Sequence, residues 1–466
     1  MIREYVDALS EVKKMNYVKE ISKKIPIIAE TDILVVGSGP GGMAAAISAA
    51  RMGIDTLLVE RYGCLGGNLT VVGVESIAWY RHEKTIDVEG IGIEFEQKAK
   101  SMGATYPEPQ SKSEAINSEM FKYIADILVK EAGVKVLLHS WVIDVIVDED
   151  VIKGVIIHNK SGRQAILAKR VIDCSGDADL IYYADAPYVK TPKEDMLPVT
   201  VMFSVIGVDK QRFLEYVKEN PTTYRDWGKN WDIQKGGKED ELFSPYLEKP
   251  FEQARNDGVI PKDLTSIGGT WSTISDYGEA TYLNMVHMTH YDGTDVWDLT
   301  KAEMEGRYQA IQAIIAMNKY VPGFEKARLR NFGMTLGVRD TRKIIGKYNL
   351  TEKDVLNQGR FEDSVGIFPE FVDGYGVLVL PTTGRYFQIP YRILVPQKIE
   401  NLLVAGRCVA GDRISHASVR NMMCCTVTGQ AAGVAAAVSI MDKVNVGEVN
   451  IKKLQKALKS QGVRID

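Results

Sequence analysis

At 466 residues, with 45% hydrophobic and 25% charged residues, the chain has an ordinary globular composition and room for two or three domains. Lysine plus arginine (57) nearly balances aspartate plus glutamate (61), the formal charge is −4, and no basic block appears, so nucleic acid is not an expected partner. The longest apolar tract near the C-terminus, residues 431–441, is too short to span a bilayer, and the five cysteines form no C-x-x-C, which argues against zinc-ribbon, iron–sulfur or disulfide-reductase chemistry.

Residues 1–30 read as an amphipathic lead-in helix followed by an extended run at 25–29. They mix both charge signs and lack the apolar stretch of a secretory signal, so a cytoplasmic location is expected. Residues 31–60, TDILVVGSGPGGMAAAISAARMGIDTLLVE, then predict strand, glycine-rich turn, helix and second strand. The apolar run 33–36 is of the buried-strand type. Gly37, Gly39 and Gly42 give the G-x-G-x-x-G spacing, in which the first glycine permits the tight turn, the second admits a pyrophosphate and the third brings helix and strand together. The helix offers its N–H groups and positive dipole end to that pyrophosphate. Glu60, at the end of the second strand, suits a ribose 2′-hydroxyl.

Helical spacing follows at 114–132, stopped by Gly133. Strands are predicted at 134–138, 141–147, 151–158, 164–167 and 170–174, with a turn at Lys160, Ser161 and Gly162. From about residue 191 tyrosine, tryptophan, glycine and charge become frequent, as in a separate ligand-shaped domain. A helix is expected at 299–320, capped by Asp298 or Thr300. After Pro390 the alternating pattern returns, with a strand at 401–405 and a long small-residue helix at 422–441. The expected division is 1–30 lead-in helix, 31–190 with 391–445 as one domain, 191–390 inserted, and 446–466 a C-terminal helix.

Four further runs occur in order: LLVERYGCLGGNLT, VIDCSGDADL, GVRDTRKIIGKYNLTEKDV and NLLVAGRCVAGDRISHASVRNMMCCTVTGQAAGVAAA. With the glycine turn they resemble the FAD-dependent oxidoreductase family of the glutathione-reductase and fumarate-reductase type flavoprotein superfamily, from Thr31 to Ser439. The resemblance implies an α/β fold: a Rossmann-like FAD-binding domain, with a parallel sheet and a small antiparallel β insertion, built from both chain ends, plus an inserted α+β substrate domain that lids it. It implies that Gly37, Gly39, Pro40, Gly41 and Gly42 hold the pyrophosphate, with Glu60 and Arg61 at the adenosine ribose. Gly66, Gly67, Asn68 and Leu69 would pass along the pyrophosphate and ribityl chain, and Val142 would offer its backbone to the adenine edge. Ser175, Gly176 and Asp177 would form a second strand-end contact. Gly406, Arg407 and Asp412 would lie by the ribityl chain. Many relatives carry Gly-Asp or Gly-Glu where this chain has Gly406-Arg407, so Asp412 takes the ribityl role in this reading. The helix start near Cys425, Thr426 and Val427 would point its dipole at the flavin N1–O2 edge.

Gly90-Ile91-Gly92 lacks a third glycine, so no separate NAD(P)H domain is expected, and electrons pass to or from a small molecule or a partner protein. No histidine follows closely on Gly66-Gly67, which makes the FAD non-covalent. Hydride transfer is the cofactor's chemistry, while the protein orients substrate and handles a proton. His416 and Arg420 stand at i and i+4, one face of a helix, where a histidine moves a proton and an arginine clamps a carboxylate. Structural histidine and cofactor-side arginine are the plain alternatives. Arg339 is a third catalytic candidate, against a salt bridge to Asp340. Asn284, His287 and His290 are substrate-contact candidates; with no third ligand, no metal site is expected. Cys425 and Cys64 read as packing thiols. The expected activity is hydride transfer between flavin N5 and a small polar organic substrate. A fumarate-reductase-like enoate reductase and an electron-transfer subunit needing an electron-acceptor protein are the alternatives. A homo-oligomer without membrane association is expected.

Overall fold

The computed structural model describes residues 22–77, 81, 85–108, 113–222, 231–234, 246–380 and 384–466. The expected lead-in helix falls mainly on residues 1–21, outside the described residues. Strand β1 (Ile27–Val36) opens the fold and is followed by helix α1 (Pro40–Arg51) and strand β2 (Thr56–Val59). β1 and β2 run parallel, Ile33 opposite Thr56 through Val36 opposite Val59. Over the paired stretch, Ile33–Val36 and Thr56–Val59, the side chains are buried on both faces, as apolar runs without alternation require. Helix α2 (Ser118–Ala132) starts at Asn117, whose side chain accepts from Met120 N, and ends at Gly133 in the left-handed region. Residues 114–116, expected in this helix, form a short strand instead.

Strand β3 (Lys135–Leu137) joins β2 in parallel. β4 (Trp141–Asp148), β5 (Val151–Asn159) and β6 (Gly162–Asp173) form an antiparallel meander. The two strands expected at 164–167 and 170–174 are one strand, because β6 keeps pairing with β1 through Ala168 and Arg170. The sheet order is thus β3-β2-β1-β6-β5-β4, with a late strand beside β6.

The chain then builds a second core. Strands β7 (Phe203–Ile206), β8 (Glu279–Val286) and β9 (Arg328–Phe332) are antiparallel neighbours. Helix α3 (Val296–Tyr320) packs Ala302, Ala310, Ala313 and Met317 into this core. Its cap is Asp295, which accepts from Trp297 N and Asp298 N, ahead of both expected caps, Asp298 and Thr300.

The chain returns through β10 (Leu402–Val404), parallel to β6, then α4 (Arg413–Val419), α5 (Met422–Asp442) and α6 (Ile451–Ser460). α5 lies against α1 so closely that a Cβ on Gly429 would stand 2.0 Å from Gly41 O and one on Gly433 2.2 Å from Ala45 O. The small-residue run of α5 permits that approach, which brings the N-termini of both helices to one place. α5 is long and apolar enough to cross a membrane, with a mean hydropathy of 1.5, but 94% of that window is buried inside the protein.

The expected inserted segment, 191–390, is too long. Residues 342–344 pair with 188–190, and the paired strands 364–369 and 386–390 send Val365, Phe368, Phe387 and Ile389 into the first core. The second core ends near Leu336. The C-terminal helix α6 packs onto the first core through Leu454 and Leu458. Alternation around 342–390 is weak, because strands buried on both faces do not alternate.

Candidate functional site

A cavity runs from the glycine turn to the start of α5. The turn itself leaves the room. Gly37 has φ +93, and a Cβ there would stand 2.5 Å from Cys174 O. A Cβ on Gly42 would stand 1.8 Å from Gly37 O. Gly39 differs, because a Cβ on it meets nothing within 4 Å and the residue lines the cavity. Gly39 is also the N-cap of α1, has no side-chain cap bond, and is followed by Pro40. An anion-sized gap therefore lies against a helix N-terminus with uncapped N–H groups, beside Gly41 and Gly42.

Glu60 also lines the cavity, at the end of β2. Its Oε2 accepts from Ser38 N (2.8 Å) and Ser38 Oγ (2.6 Å), and its Oε1 from Tyr62 N (2.9 Å). These bonds hold the carboxylate in place and leave lone pairs for further donors. Arg61 stacks over Tyr62 and Trp141, 4.8 and 5.1 Å from the ring centroids. Trp141, half-exposed, and Val142 complete this stretch of the wall. Trp141 carried no motif and escaped the sequence reading; its exposure identifies it.

Along the middle, Gly67 and Asn68 cross the turn, and a Cβ on Gly67 would stand 2.5 Å from Gly39 Cα. Gly66 and Leu69 are not on the cavity wall; Leu69 is fully buried. Ser175, Gly176, Asp177, Gly406 and Arg407 line the opposite side. Arg407 Nη2 donates to Asp177 Oδ1 at 2.7 Å, so the arginine that replaces an acid is neutralised by the neighbouring strand end. Asp412 does not line the cavity. It caps α4, Oδ1 accepting from Ser415 N (2.9 Å) and Oδ2 from Glu352 N (2.7 Å), so it is not placed for the ribityl role. Thr426 is likewise turned away, donating to Met423 O.

The far part of the wall joins both cores. Val71, Val72, Thr335, Leu336 and Val338 supply an apolar surface that no motif announced. Met334 N donates to Val71 O at 2.7 Å and fixes the two segments together. Met422, Cys425 and Arg420 face them. The α5 N-cap, Asn421, does not cap; its Nδ2 donates back to Ser418 O (2.7 Å). The first N–H groups of α5 therefore stay uncapped, and Arg420 adds a positive charge beside them. The Cys425 thiol donates to Arg420 O (3.3 Å), and burial pushes it up to about 12, so it stays protonated.

Beyond this wall stands a polar cluster. Arg339 Nη1 donates to Pro198 O (3.1 Å) and Nη2 to Asn284 Oδ1 (3.3 Å), while Thr200 Oγ1 donates to the same Asn284 oxygen (3.0 Å). Arg339 makes no salt bridge to Asp340, which instead bonds Lys343 (2.7 Å). Burial, and then the charge of Arg420, lower Arg339 to about 10. His287 Nδ1 donates to Gly268 O (3.2 Å), and burial followed by the Arg339 charge lowers it to about 3. Tyr282 sits here on a bulge of β8 with φ +55, a strained conformation for a tyrosine. Burial, with Glu108, raises its phenol. His290 is not with His287: it is exposed, has φ +64, and lines a separate cavity with Lys193 and Glu305.

His416 is not a proton carrier at the cavity wall. It is 1% exposed, and its Nε2–H donates to Arg339 O at 3.0 Å. Burial, then Lys343 and Arg420, lower it to about 3 against the pull of Asp340. It is a positioning residue for the Arg339 segment. Helical spacing put His416 and Arg420 on one face; burial separates their roles.

The FAD dependent oxidoreductase family matches residues 32–458. A dihydrolipoyl dehydrogenase of Trypanosoma brucei brucei is 52% identical over 48 residues, 10% of each chain. A thiamine thiazole synthase of Methanococcus vannielii is 31% identical over 165 residues, 33% of this chain and 59% of that protein. The chain thus spans less than two thirds of either relative. Among solved structures, a geranylgeranyl bacteriochlorophyll reductase-like protein of Thermoplasma acidophilum aligns over 94% of this chain and 85% of its own, at 15% identity and TM-score 0.44.

Proposed function

The chain belongs to the FAD-dependent oxidoreductase family, and on that premise we propose that it transfers a hydride between non-covalent FAD and a small polar organic substrate. The family makes it an FAD enzyme. The fit of the cavity supports this reading: Gly39 leaves open space at one helix N-terminus, and the second helix N-terminus stands at the far wall. FAD, when bound, supplies the two-electron acceptor or donor. The chain's own residues orient it. Gly39 and the α1 N–H groups take the pyrophosphate, and Glu60 the ribose. The α5 N-terminus and Arg420 favour negative charge at the far wall. Val71, Val72, Leu336 and Val338 exclude water from it.

The observation that carries the substrate part is the cluster of Asn284, Arg339, Tyr282 and His287, set by the second core beyond the apolar wall. Neutral His287 keeps Nε2 free of a proton and able to accept a hydrogen bond from a substrate O–H or N–H. The test is anaerobic mixing of the FAD-loaded protein with a panel of small alcohols, amines and hydroxy acids, followed at the long-wavelength flavin band. Bleaching by one class is expected. Loaded protein bleached by none of them, yet reduced by a partner flavoprotein or iron–sulfur protein, would replace this reading with the electron-transfer one.

A further inference from the structure

We propose that the substrate of this site carries a carboxylate, held by the guanidinium groups of Arg339 and Arg420; this rests on the oxidoreductase reading above. The two arginines do not have two acids to meet. Arg420 Nη2 donates to the backbone oxygen of Asp373 and lies 3.3 Å from its Oδ2. Among the described residues no carboxylate lies within ion-pair distance of Arg339, whose bonds go to Pro198 O and Asn284 Oδ1, both uncharged. The other acids nearby are engaged elsewhere. Asp340 bonds Lys343, Thr191 and Tyr375. Glu75 is 3% exposed and accepts from Ser118 and Thr281.

Taking a guanidinium out of water without a counter-charge is costly, and a chain keeps one where an anion arrives to complete it. Arg420 Nε is buried with no partner among the described residues. That nitrogen is one edge of the fork that grips a carboxylate in bidentate fashion. Arg420 lines the cavity, and Arg339 stands close enough behind it to feel the charges of Arg420 and Asp373. Neither arginine is loose. Asn284, fixed by Thr200, holds the Arg339 fork, and His416 bonds the Arg339 carbonyl. A rigid, under-neutralised pair, Arg420 on the wall and Arg339 behind it, selects an acid over its amide, because only the acid supplies the missing charge.

The test uses FAD-loaded protein titrated with glycolate, lactate and succinate against glycolamide, lactamide and succinamide, read as a shift of the flavin band. At least one acid is expected to bind, and each binding acid to do so roughly a hundredfold more tightly than its amide. Arg339→Met is expected to lose a similar factor for the acid and leave FAD content unchanged, with Arg339→Lys in between. Equal responses to acid and amide, including none to either, overturn the inference, as does an Arg339→Met protein that binds the acid like the wild type. Protein that takes up no FAD overturns the oxidoreductase reading together with this one, whereas FAD-replete protein blind to the acid group overturns this one alone.

Discussion

Gly39→Leu is expected to fold as the wild type does and to purify colourless, without FAD. Position 39 has φ −58 and ψ 175, an ordinary conformation for any residue. A Cβ there touches nothing within 4 Å, so the folded chain has no reason to shift. The rest of a leucine side chain then occupies the space in front of the α1 N-terminus. A pyrophosphate cannot share that space, and its charge is separated from the N–H groups that would hold it. Gly42→Ala gives the contrasting result. Its Cβ would stand 1.8 Å from Gly37 O and 3.2 Å from Cys174 Cβ, between backbone elements that cannot both move. Overpacking of that kind costs on the order of 3 kcal/mol, and the cost falls on the apoprotein. Flavin content per chain and the urea midpoint of the cofactor-free forms, measured together, separate the two. A Gly39→Leu protein with full flavin would remove the pyrophosphate from this turn.

The same two glycines show what the sequence makes legible. Spacing within one turn reports backbone geometry directly, because only certain residue types fit a tight strand–helix corner. The strand, helix and acid around it are equally local, and the structure holds them where the residues place them. What was not legible depends on contacts between distant segments. Asp412 has the composition of a cofactor ligand and the position of a helix cap, and the two uses look alike in one dimension. His416 stands one helical turn from Arg420, but periodicity does not say how deep each lies. Val71, Leu336 and Val338 build the apolar wall because two loops meet through Met334 and Val71. Apolar loop residues carry no signature of such a meeting. The segment 342–390 joins the first core rather than the inserted one for a related reason: a strand covered on both faces declares neither the sheet nor the domain it joins.

Mild acid is expected to destabilise the protein through His416 and His287. His416 and His287 are both lowered to about 3 in the folded chain, whereas an unfolded histidine titrates near 6.5. Below the unfolded value the unfolded chain binds protons that the folded one refuses, so stability falls as pH drops from about 6.5 toward about 3. Each histidine contributes a loss of about 2 kcal/mol between pH 7 and about 5. Buried acids oppose them, Asp173 and Glu75 among them, raised by burial. Asp179, pushed up to about 6 by burial and by Asp177 and Asp173, binds a proton more readily when folded and returns roughly 1 kcal/mol over the same interval. The two histidine losses together exceed the Asp179 return, and the difference is a sizeable part of a typical folding free energy. His416→Gln isolates one share. Its amide N–H can still donate to Arg339 O, and it carries no titrating group. Urea midpoints of both proteins at the two pH values give the comparison. The variant is expected to lose about 2 kcal/mol less than the wild type on acidification. Equal losses would mean that His416 accepts its proton while folded, and with it that the imidazole is not held neutral behind Arg339.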